Sequence, residues 1–369
     1  MALCGPKAIT LRRKPFLALT NRKTVPKEAP LSPRRDSSGA GGLPPGNKIF
    51  PLRGISSRTP LCAACAALAA SALLGAALTA APRRPASQKN SGAIHVETNL
   101  VEVLASVTDA NGRPVADLPQ DAFHLSEDGV PQKIARFEAQ TGQPLDLVLM
   151  VDASMSETQE LKAESEAAAR FIREVVRPGD TLAVFEFSDS VVRLSPATDN
   201  VRQLQKDVMK ISPGTGTCLY DAVLLGSDAL RARPQGRRRA IVLVTDAGET
   251  TSDSTFDQAR REAISSGALL YSIILRAVEN ENGRNTAGEH ALDTITDSVG
   301  GALFTIFDLK KLDLTFGLIN RELRTQYLLG YYPNPVPPPS SDRRVQLDVH
   351  GNYVVRYRKE YFTGPNGSP

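Results

Sequence analysis

The apolar positions of the chain follow two kinds of pattern. Between residues 144 and 325, short unbroken apolar runs alternate with segments whose apolar residues recur every three or four positions. The clearest runs are LDLVLMVD at 145–152 and AIVLVTD at 240–246. Runs this short and apolar are typical of strands buried on both faces, and the segments between them predict helices. The alternation predicts a doubly wound α/β fold with a mostly parallel sheet.

The two flanks of this region instead alternate with a period of two. Residues 94–140 and 326–363 read as short strands, with turn signals at 109–112 and 127–129. Alternation of this kind is typical of antiparallel strands with one buried face. Because it occurs both before and after the α/β region, we expect the flanks to form one small β-sandwich-like module into which the α/β domain is inserted.

Charge is divided unevenly along the chain. Residues 1–90 hold 15 Lys and Arg against 2 Asp and Glu, whereas residues 91–369 hold 29 against 38. The net charge of +4 therefore comes from the amino-terminal part and gives no reason to expect nucleic-acid binding. Residues 1–60 are rich in Pro, Gly, Ser, Lys and Arg and lack apolar periodicity, which is the composition of a disordered leader.

An uncharged stretch of 21 residues follows that leader at 61–81. It has the features of the apolar region of a secretory signal and closes in small residues. A retained membrane anchor and an organellar transit peptide are the alternatives, in that order. Sixty residues before such a region is unusual, which favours a wrongly placed start. Residues 82–93 read as a linker, and we expect an exported protein: periplasmic, cell-surface or secreted.

Hard oxygen donors occur where predicted strands and loops lead into helices. Asp152, Ser154 and Ser156 take alternate positions after the first apolar run, Thr217 lies in a glycine-bearing loop, and Asp246 ends the second run. Since ligands of open α/β sheets bind at the carboxyl edge, we expect these residues to converge there. Such donors suit Mg²⁺, with Mn²⁺ or Ca²⁺ as alternatives. For each residue taken alone, capping of the following helix is the favoured interpretation.

This constellation resembles the metal-ion-dependent adhesion site of von Willebrand factor A-type domains. The resemblance covers about residues 144–324, and all five positions are matched in order. It implies that the first Asp and both Ser lie on the first loop, the Thr on the second and the last Asp on the third. It also implies that a ligand carboxylate often completes the coordination shell. One difference is Ala247, since the family usually places Gly straight after the last Asp.

Three further segments carry a wider resemblance. DGVPQKI at 128–134, QYLLGYYP at 326–333 and VRYRKEYF at 355–362 are similar to VWFA-related proteins of the acidobacterial type. This resemblance spans about residues 94–362. It implies a bacterial, exported protein and indicates no particular ligand or reaction.

The residues favour a non-enzymatic binding module, in which the ion captures a carboxylate of a protein partner for adhesion or complex assembly. One alternative is metal-assisted hydrolysis at the same edge. Against it, no His or Glu belongs to the motif, and the sequence lacks G-x-S-x-G and G-x-x-x-x-G-K-[ST]. The other alternative is a surface protein in which the ion only stabilises the fold. Membrane contact is expected only through the possible anchor.

Three other features have both a functional and a structural interpretation. Arg237–Arg239 could bind an anionic partner, but a solvated strand entry is the favoured interpretation. Cys218 follows Thr217, yet no His or acidic motif supports a thiol role. In the helix after Ser156, apolar residues form one side, with Glu and Lys assigned to the other: Leu161, Ala168, Phe171, Ile172 and Val175.

Overall fold

The computed structural model describes residues 100–154, 158–276 and 285–364, which all belong to one compact unit, Lys89–Pro369. The strands are β1 (Val101–Thr108), β2 (Phe123–Glu127), β3 (Val130–Pro131), β4 (Ile134–Glu138), β5 (Leu145–Asp152), β6 (Thr181–Phe187), β7 (Val191–Thr198), β8 (Arg238–Thr245), β9 (Leu269–Leu275), β10 (Gly301–Ile306), β11 (Tyr327–Tyr331), β12 (Asp342–Val349), β13 (Val354–Tyr357) and β14 (Glu360–Phe362). The α-helices are α1 (Thr158–Val175), α2 (Val201–Val208), α3 (Leu219–Arg231), α4 (Phe256–Ser266), α5 (Thr286–Val299) and α6 (Leu312–Arg324). Two 3-10 turns lie at Gln120–Ala122 and Leu309–Lys311.

Some predictions fall outside these ranges. They concern the leader, the apolar stretch 61–81, the linker, and Ser156. Among the described helices, none is both long enough and apolar enough to cross a bilayer.

Six strands form the central sheet, in the order β10-β9-β8-β5-β6-β7. All neighbours are parallel except β7, which runs antiparallel to β6. Helices α1, α2 and α6 cover one face, and α3, α4 and α5 cover the other. Every residue of β5 is buried, because this strand lies mid-sheet with helices on both sides. The predicted doubly wound, mostly parallel fold is confirmed.

The chain order across this sheet reverses at β5. From β5 the chain first builds outward through β6 and β7, and then returns to the other side of β5 with β8, β9 and β10. A reversal of this kind opens a crevice at the carboxyl ends of the strands, where ligands of such folds bind. Asp152 is the last residue of β5 and therefore lies at that crevice.

The flanking segments form two further sheets, ordered β13-β1-β11-β4 and β14-β12-β2-β3. Side chains of both sheets share one apolar core, so the flanks pack as a two-layer β-module. The carboxyl of Glu127 is buried in it and accepts hydrogen bonds from the hydroxyls of Tyr331 (2.6 Å) and Tyr361 (3.0 Å) and from Arg343 Nε (2.8 Å). The expected β segments are present on both sides of the α/β domain.

At the amino end of β5 lies a second buried carboxyl, that of Asp146, which is 1% exposed. It accepts hydrogen bonds from Thr181 Oγ1 (2.6 Å), Arg237 Nε (2.8 Å) and Arg233 Nε (3.2 Å). Burial alone would raise the pKa of Asp146, but these hydrogen bonds and the arginine charge hold the pKa below its ordinary value. The carboxylate is thus fully paired within the chain.

The solvated entry expected for Arg237–Arg239 is wrong. Arg237 pairs with buried Asp146, and Arg239 donates to the carbonyls of Ser266 (2.9 Å) and Arg233 (2.9 Å). Arg238 is 4% exposed and donates to the Gln143 carbonyl at 2.8 Å, and burial lowers its pKa to about 10. The sequence shows three consecutive cations, but it does not show the buried acid and the carbonyls that they contact in the fold.

Candidate metal centre

Three loops meet beyond the carboxyl end of β5. The first loop starts at Ala153, the second is residues 212–218 before α3, and the third is residues 246–255 after β8. Gly214 N donates to Ala153 O at 2.9 Å and joins the second loop to the first. Thr250 N donates to Thr217 O at 2.8 Å and joins the third to the second. Backbone hydrogen bonds therefore fix the loops against one another.

Asp152 is held between the first loop and the end of β8. Its Oδ1 accepts from Ser154 N at 2.9 Å, and its Oδ2 accepts from Thr245 Oγ1 at 2.5 Å. The Thr245 hydroxyl in turn accepts from Ala247 N at 2.9 Å. The Ser154 side chain also hydrogen-bonds to this carboxylate. A carboxylate has about four acceptor positions, so these bonds orient Asp152 and leave capacity for another partner.

The second loop is shaped by an acid that the sequence did not single out, Asp189. This carboxylate accepts from Thr215 N (2.9 Å) and Thr215 Oγ1 (2.8 Å), and these bonds lower the Asp189 pKa. The glycines beside Thr215 allow the approach: a Cβ atom on Gly214 would lie 2.3 Å from Ser188 Oγ, and one on Gly216 would lie 2.9 Å from Asp189 Oδ1. The glycine-bearing loop is thus needed for close packing.

Thr217 and Asp246 face each other across Gly248. A Cβ atom at Gly248 would lie 3.1 Å from Thr217 Oγ1 and 3.0 Å from Asp246 Oδ1, so both oxygens are close to one point. Gly248 N donates to Asp246 Oδ1 at 2.7 Å. Thr217 is buried and Asp246 is exposed, which places one donor deep in the crevice and the other at its mouth.

Ala247, the residue that departs from the family pattern, adopts a left-handed conformation with φ +64°. This region favours glycine, because an L side chain there costs about 1–2 kcal/mol. The loop nevertheless keeps its shape, since Ala247 is completely buried and α5 packs against its backbone. A Cβ atom on Gly288 of that helix would lie only 2.0 Å from Ala247 O.

A pocket of about 500 Å³ opens beside these donors. Its walls combine acidic groups, apolar groups and one arginine: Asp152, Ser154, Glu160, Glu164, Thr245, Asp246, Leu275, Arg276, Ile306, Phe307, Asp308 and Leu309. Arg276 is held by an ion pair to Glu289. The pocket therefore brings negative charge next to a partly apolar wall.

The electrostatics at this edge disfavour ionised carboxylates. Burial raises the pKa of Asp152 to about 6 despite its hydrogen bonds, and the charge of Asp246 adds to the rise. Burial raises the pKa of Glu164 to about 8, and three neighbouring carboxylates add to the rise: Asp152, Glu160 and Asp246. A cation in the pocket would oppose both effects, because an opposite charge favours the ionised acid.

The donor chemistry suits a hard divalent cation. Carboxylate and hydroxyl oxygens are the ligands that Mg²⁺ and Ca²⁺ prefer. Over the described ranges, no group of three or more His, Cys, Asp or Glu side chains is arranged to hold a metal ion by itself. The hydroxyls of Ser154 and Thr217 would therefore have to supplement the carboxylates of Asp152 and Asp246.

Four of the five predicted site residues are brought to one edge: Asp152, Ser154, Thr217 and Asp246. Ser156 lies outside the described residues. Cys218 is buried at the start of α3, and burial raises its thiol pKa to about 11, which suits a core residue rather than a nucleophile.

Sequence reasoning missed three contributors to this edge. Thr245 orients Asp152, and Asp189 orients the second loop. Glu164 lines the pocket, although its charge had assigned it to the polar side of its helix. For Thr245 a signal existed, because a hydroxyl residue beside Asp246 interrupts an apolar strand. For Asp189 the sequence offered none, since its partner lies 26 positions away.

Comparison with protein families identifies the region that carries these loops. Residues 147–249 match the von Willebrand factor type A domain. The match begins within β5 and ends just after Asp246, so it includes the first two loops and the start of the third and excludes the β-module. Among curated proteins, none matches the chain.

Solved structures with similarity to the chain include A-type domains from several bacteria. The conserved hypothetical protein BatB from Bacteroides thetaiotaomicron is 16% identical, covers 49% of this chain and 100% of its own, and has a TM-score of 0.40. A von Willebrand factor type A protein from Catenulispora acidiphila is 13% identical over 72% and 74%, with a TM-score of 0.44. The vWF domain of the type V pili tip protein Mfa5 from Porphyromonas gingivalis is 13% identical over 49% and 95%, with a TM-score of 0.39.

Proposed function

We propose that this protein is an exported, divalent-cation-dependent protein-binding module. The cation, Mg²⁺ or else Mn²⁺ or Ca²⁺, is held by Asp152, Ser154, Ser156 and Thr217, with Asp246 in support. A partner's Asp or Glu side chain completes its shell. The observation that carries the proposal is the convergence of three loops on Asp152 at a pocket open to solvent.

Each residue has a separate task in this proposal. Thr245 and the Ser154 amide fix the Asp152 carboxylate, so that it presents its remaining acceptor capacity to the pocket. Thr217 supplies a neutral oxygen, which leaves positive charge on the cation for an incoming carboxylate. The bound cation supplies a short-range, directional attraction for that carboxylate. Adhesion and complex assembly both need contacts of this reversible kind.

Binding is favoured over hydrolysis by what surrounds the donors. The residues that line the pocket include no histidine, and the nearby Cys218 thiol is buried with a raised pKa. The carboxyls of Asp152 and Glu164, whose pKa is raised, could accept a proton from water only if the cation did not engage them. The export component of the proposal rests on the apolar stretch 61–81 in the sequence.

The first test is thermal melting in EDTA and in excess Mg²⁺, Mn²⁺ or Ca²⁺. Binding to the folded state stabilises it by about 2.7 kcal/mol at one hundred times the Kd, which moves the melting temperature by several degrees. Asp152→Ala should lose this response. Asp253→Ala is the matched control, since it removes an exposed carboxylate from the third loop, and it should respond as wild type. An unchanged response in Asp152→Ala contradicts the proposed site.

The second test selects partners from a random peptide display library in Mg²⁺, with elution by EDTA. Selected peptides should share an Asp or Glu whose replacement by Asn or Gln abolishes binding to the wild-type protein. The same peptides should not bind Asp152→Ala. Peptides that bind equally in EDTA, or that need no acidic residue, would refute carboxylate capture while leaving metal binding intact.

A further inference from the structure

Glu164 occupies a position on α1 where the helix pattern calls for an apolar residue. It lies three residues after Leu161 and four before Ala168, and both of these are buried against the sheet. Glu164 itself is only 6% exposed. The charge of this side chain assigns it to the solvent side of the helix, whereas its spacing places it on the buried side.

The buried carboxyl has no partner that would explain its position. Within the described part of the chain, neither a hydrogen bond nor an ion pair reaches Glu164. Buried charges in proteins are ordinarily paired or bound to metals, because an isolated buried carboxylate is costly. Paired acids of this chain show the contrast: Asp146 and Glu127, equally buried, each contact arginine.

The charges that act on Glu164 are negative. Its carboxyl lines the pocket together with the carboxylates of Asp152 and Asp246, and their charges act on it, as does that of exposed Glu160. Arg276 lines the same pocket, but it is bound to Glu289. An unpaired carboxyl on a side chain that is 6% exposed, lining a pocket together with other carboxylates, is in a setting where proteins place metal ligands.

We infer that Glu164 is a further carboxylate of the cation site, and that it acts on the ion through a coordinated water. The inference rests on the proposed function and extends it to a residue outside the Asp-x-Ser-x-Ser motif. Glu164 adds a third carboxylate to those of Asp152 and Asp246. Removing a carboxylate that acts on a metal through its ligand shell typically weakens metal affinity by about 10–100-fold.

The experiment compares Mn²⁺ binding to the purified full chain by isothermal titration calorimetry and by electron paramagnetic resonance. Glu164→Gln keeps the shape of the side chain and removes its charge, and it should raise the Kd for Mn²⁺ about tenfold. Glu160→Gln is the matched control: it removes the same charge one turn earlier on the same helix, from an exposed position on the pocket wall. It should change the Kd by less than about threefold, because exposed charges are screened by solvent.

Two further measurements separate this role from a structural one. Circular dichroism and melting in EDTA should show that Glu164→Gln is folded and at least as stable as wild type, so weaker Mn²⁺ binding cannot follow from unfolding. Glu164→Asp should bind Mn²⁺ with an affinity between those of wild type and Glu164→Gln. A Glu164→Gln protein with the wild-type Kd overturns the inference.

Failure of the proposed function gives a different result. If Asp152→Ala binds Mn²⁺ with the wild-type Kd, the ion is not held at the proposed site and the proposed function is overturned. If Asp152→Ala loses Mn²⁺ while Glu164→Gln binds it as tightly as wild type, the proposed function stands and only the role of Glu164 is overturned.

Discussion

The two ends of β5 each carry a buried aspartate, and the charges around these two residues are opposite in sign. Asp146 at the amino end is paired with Arg233 and Arg237, and its pKa is lowered. Asp152 at the carboxyl end faces other acids, and burial raises its pKa to about 6. The same residue type on the same strand thus stabilises the fold at one end and carries an uncompensated charge at the other. The unpaired end is where a ligand would have to supply the missing charge.

The largest expected effect is at the paired end. Asp146→Asn keeps an acceptor for Thr181 but leaves two partly buried arginines without a carboxylate, so the free energy of unfolding should fall by about 3 kcal/mol. Urea denaturation at pH 7 measures this change. Asp313→Asn is the control, because Asp313 pairs with Arg170 at the surface, with side-chain exposures of 50% and 44%. It should cost less than about 1 kcal/mol. Equal losses in both variants would contradict the contrast between the two ends.

A smaller effect is expected from pH at the unpaired end. The pKa of Glu164 is about 8 in the folded chain, above its ordinary value of 4.5. The folded state therefore binds the proton more tightly than the unfolded state, and its stability falls as pH rises through this window. Metal-free wild type should lose about 2 kcal/mol in urea denaturation between pH 5.5 and pH 7 because of this group. Glu164→Gln should lose correspondingly less, and an identical pH profile in both proteins would contradict this account.

The smallest expected effect is a change in stability whose sign differs between the two ends of β5. Asp152→Asn removes an ionised carboxylate that burial disfavours, so in EDTA at pH 7.5 it should raise the free energy of unfolding by about 1 kcal/mol. The same substitution at Asp146 lowers it. At pH 4.5 the benefit at Asp152 should vanish, because the carboxyl is then protonated in the folded state. Destabilisation by Asp152→Asn at both pH values would show that Asp152 is a structural acid like Asp146.

Much of the fold could be predicted because its signals are local. The apolar run that ends at Asp152 and the run that ends at Asp246 became β5 and β8, and the helical segments between strands cover both faces of the sheet. Two short strands, Val130–Pro131 and Glu360–Phe362, were not predicted as separate elements. Strands of two or three residues leave too little period-two pattern to read, and the pairing of Glu360–Phe362 with β12 is between residues distant in sequence.

In the candidate site, too, some residues could be predicted from the sequence and one was assigned to the wrong side of its helix. Asp152, Ser154, Thr217 and Asp246 could be named because their types and order match a known motif. Glu164 was assigned to the polar side of its helix by its charge, although its spacing from Leu161 and Ala168 placed it on the buried side. The charge decided the prediction, since a buried unpaired Glu is rare in ordinary proteins. A residue whose charge contradicts its helical position is a signal that the sequence did contain.

The way the inserted α/β domain joins the β-module has a mechanical consequence. The chain leaves the module after β4 and returns at β11, and these strands pair side by side, with Leu328 opposite Glu138. The Thr141 amide also donates to the Gln326 carbonyl at 3.0 Å. Tension applied between residues 100 and 364 can therefore pass through strand pairs of the β-module, β1 with β11 and β13 and β4 with β11, and bypass the inserted domain. While those strand pairs hold, the loops around Asp152 carry no load. The binding of a partner at these loops would then be unaffected by tension on the β-module.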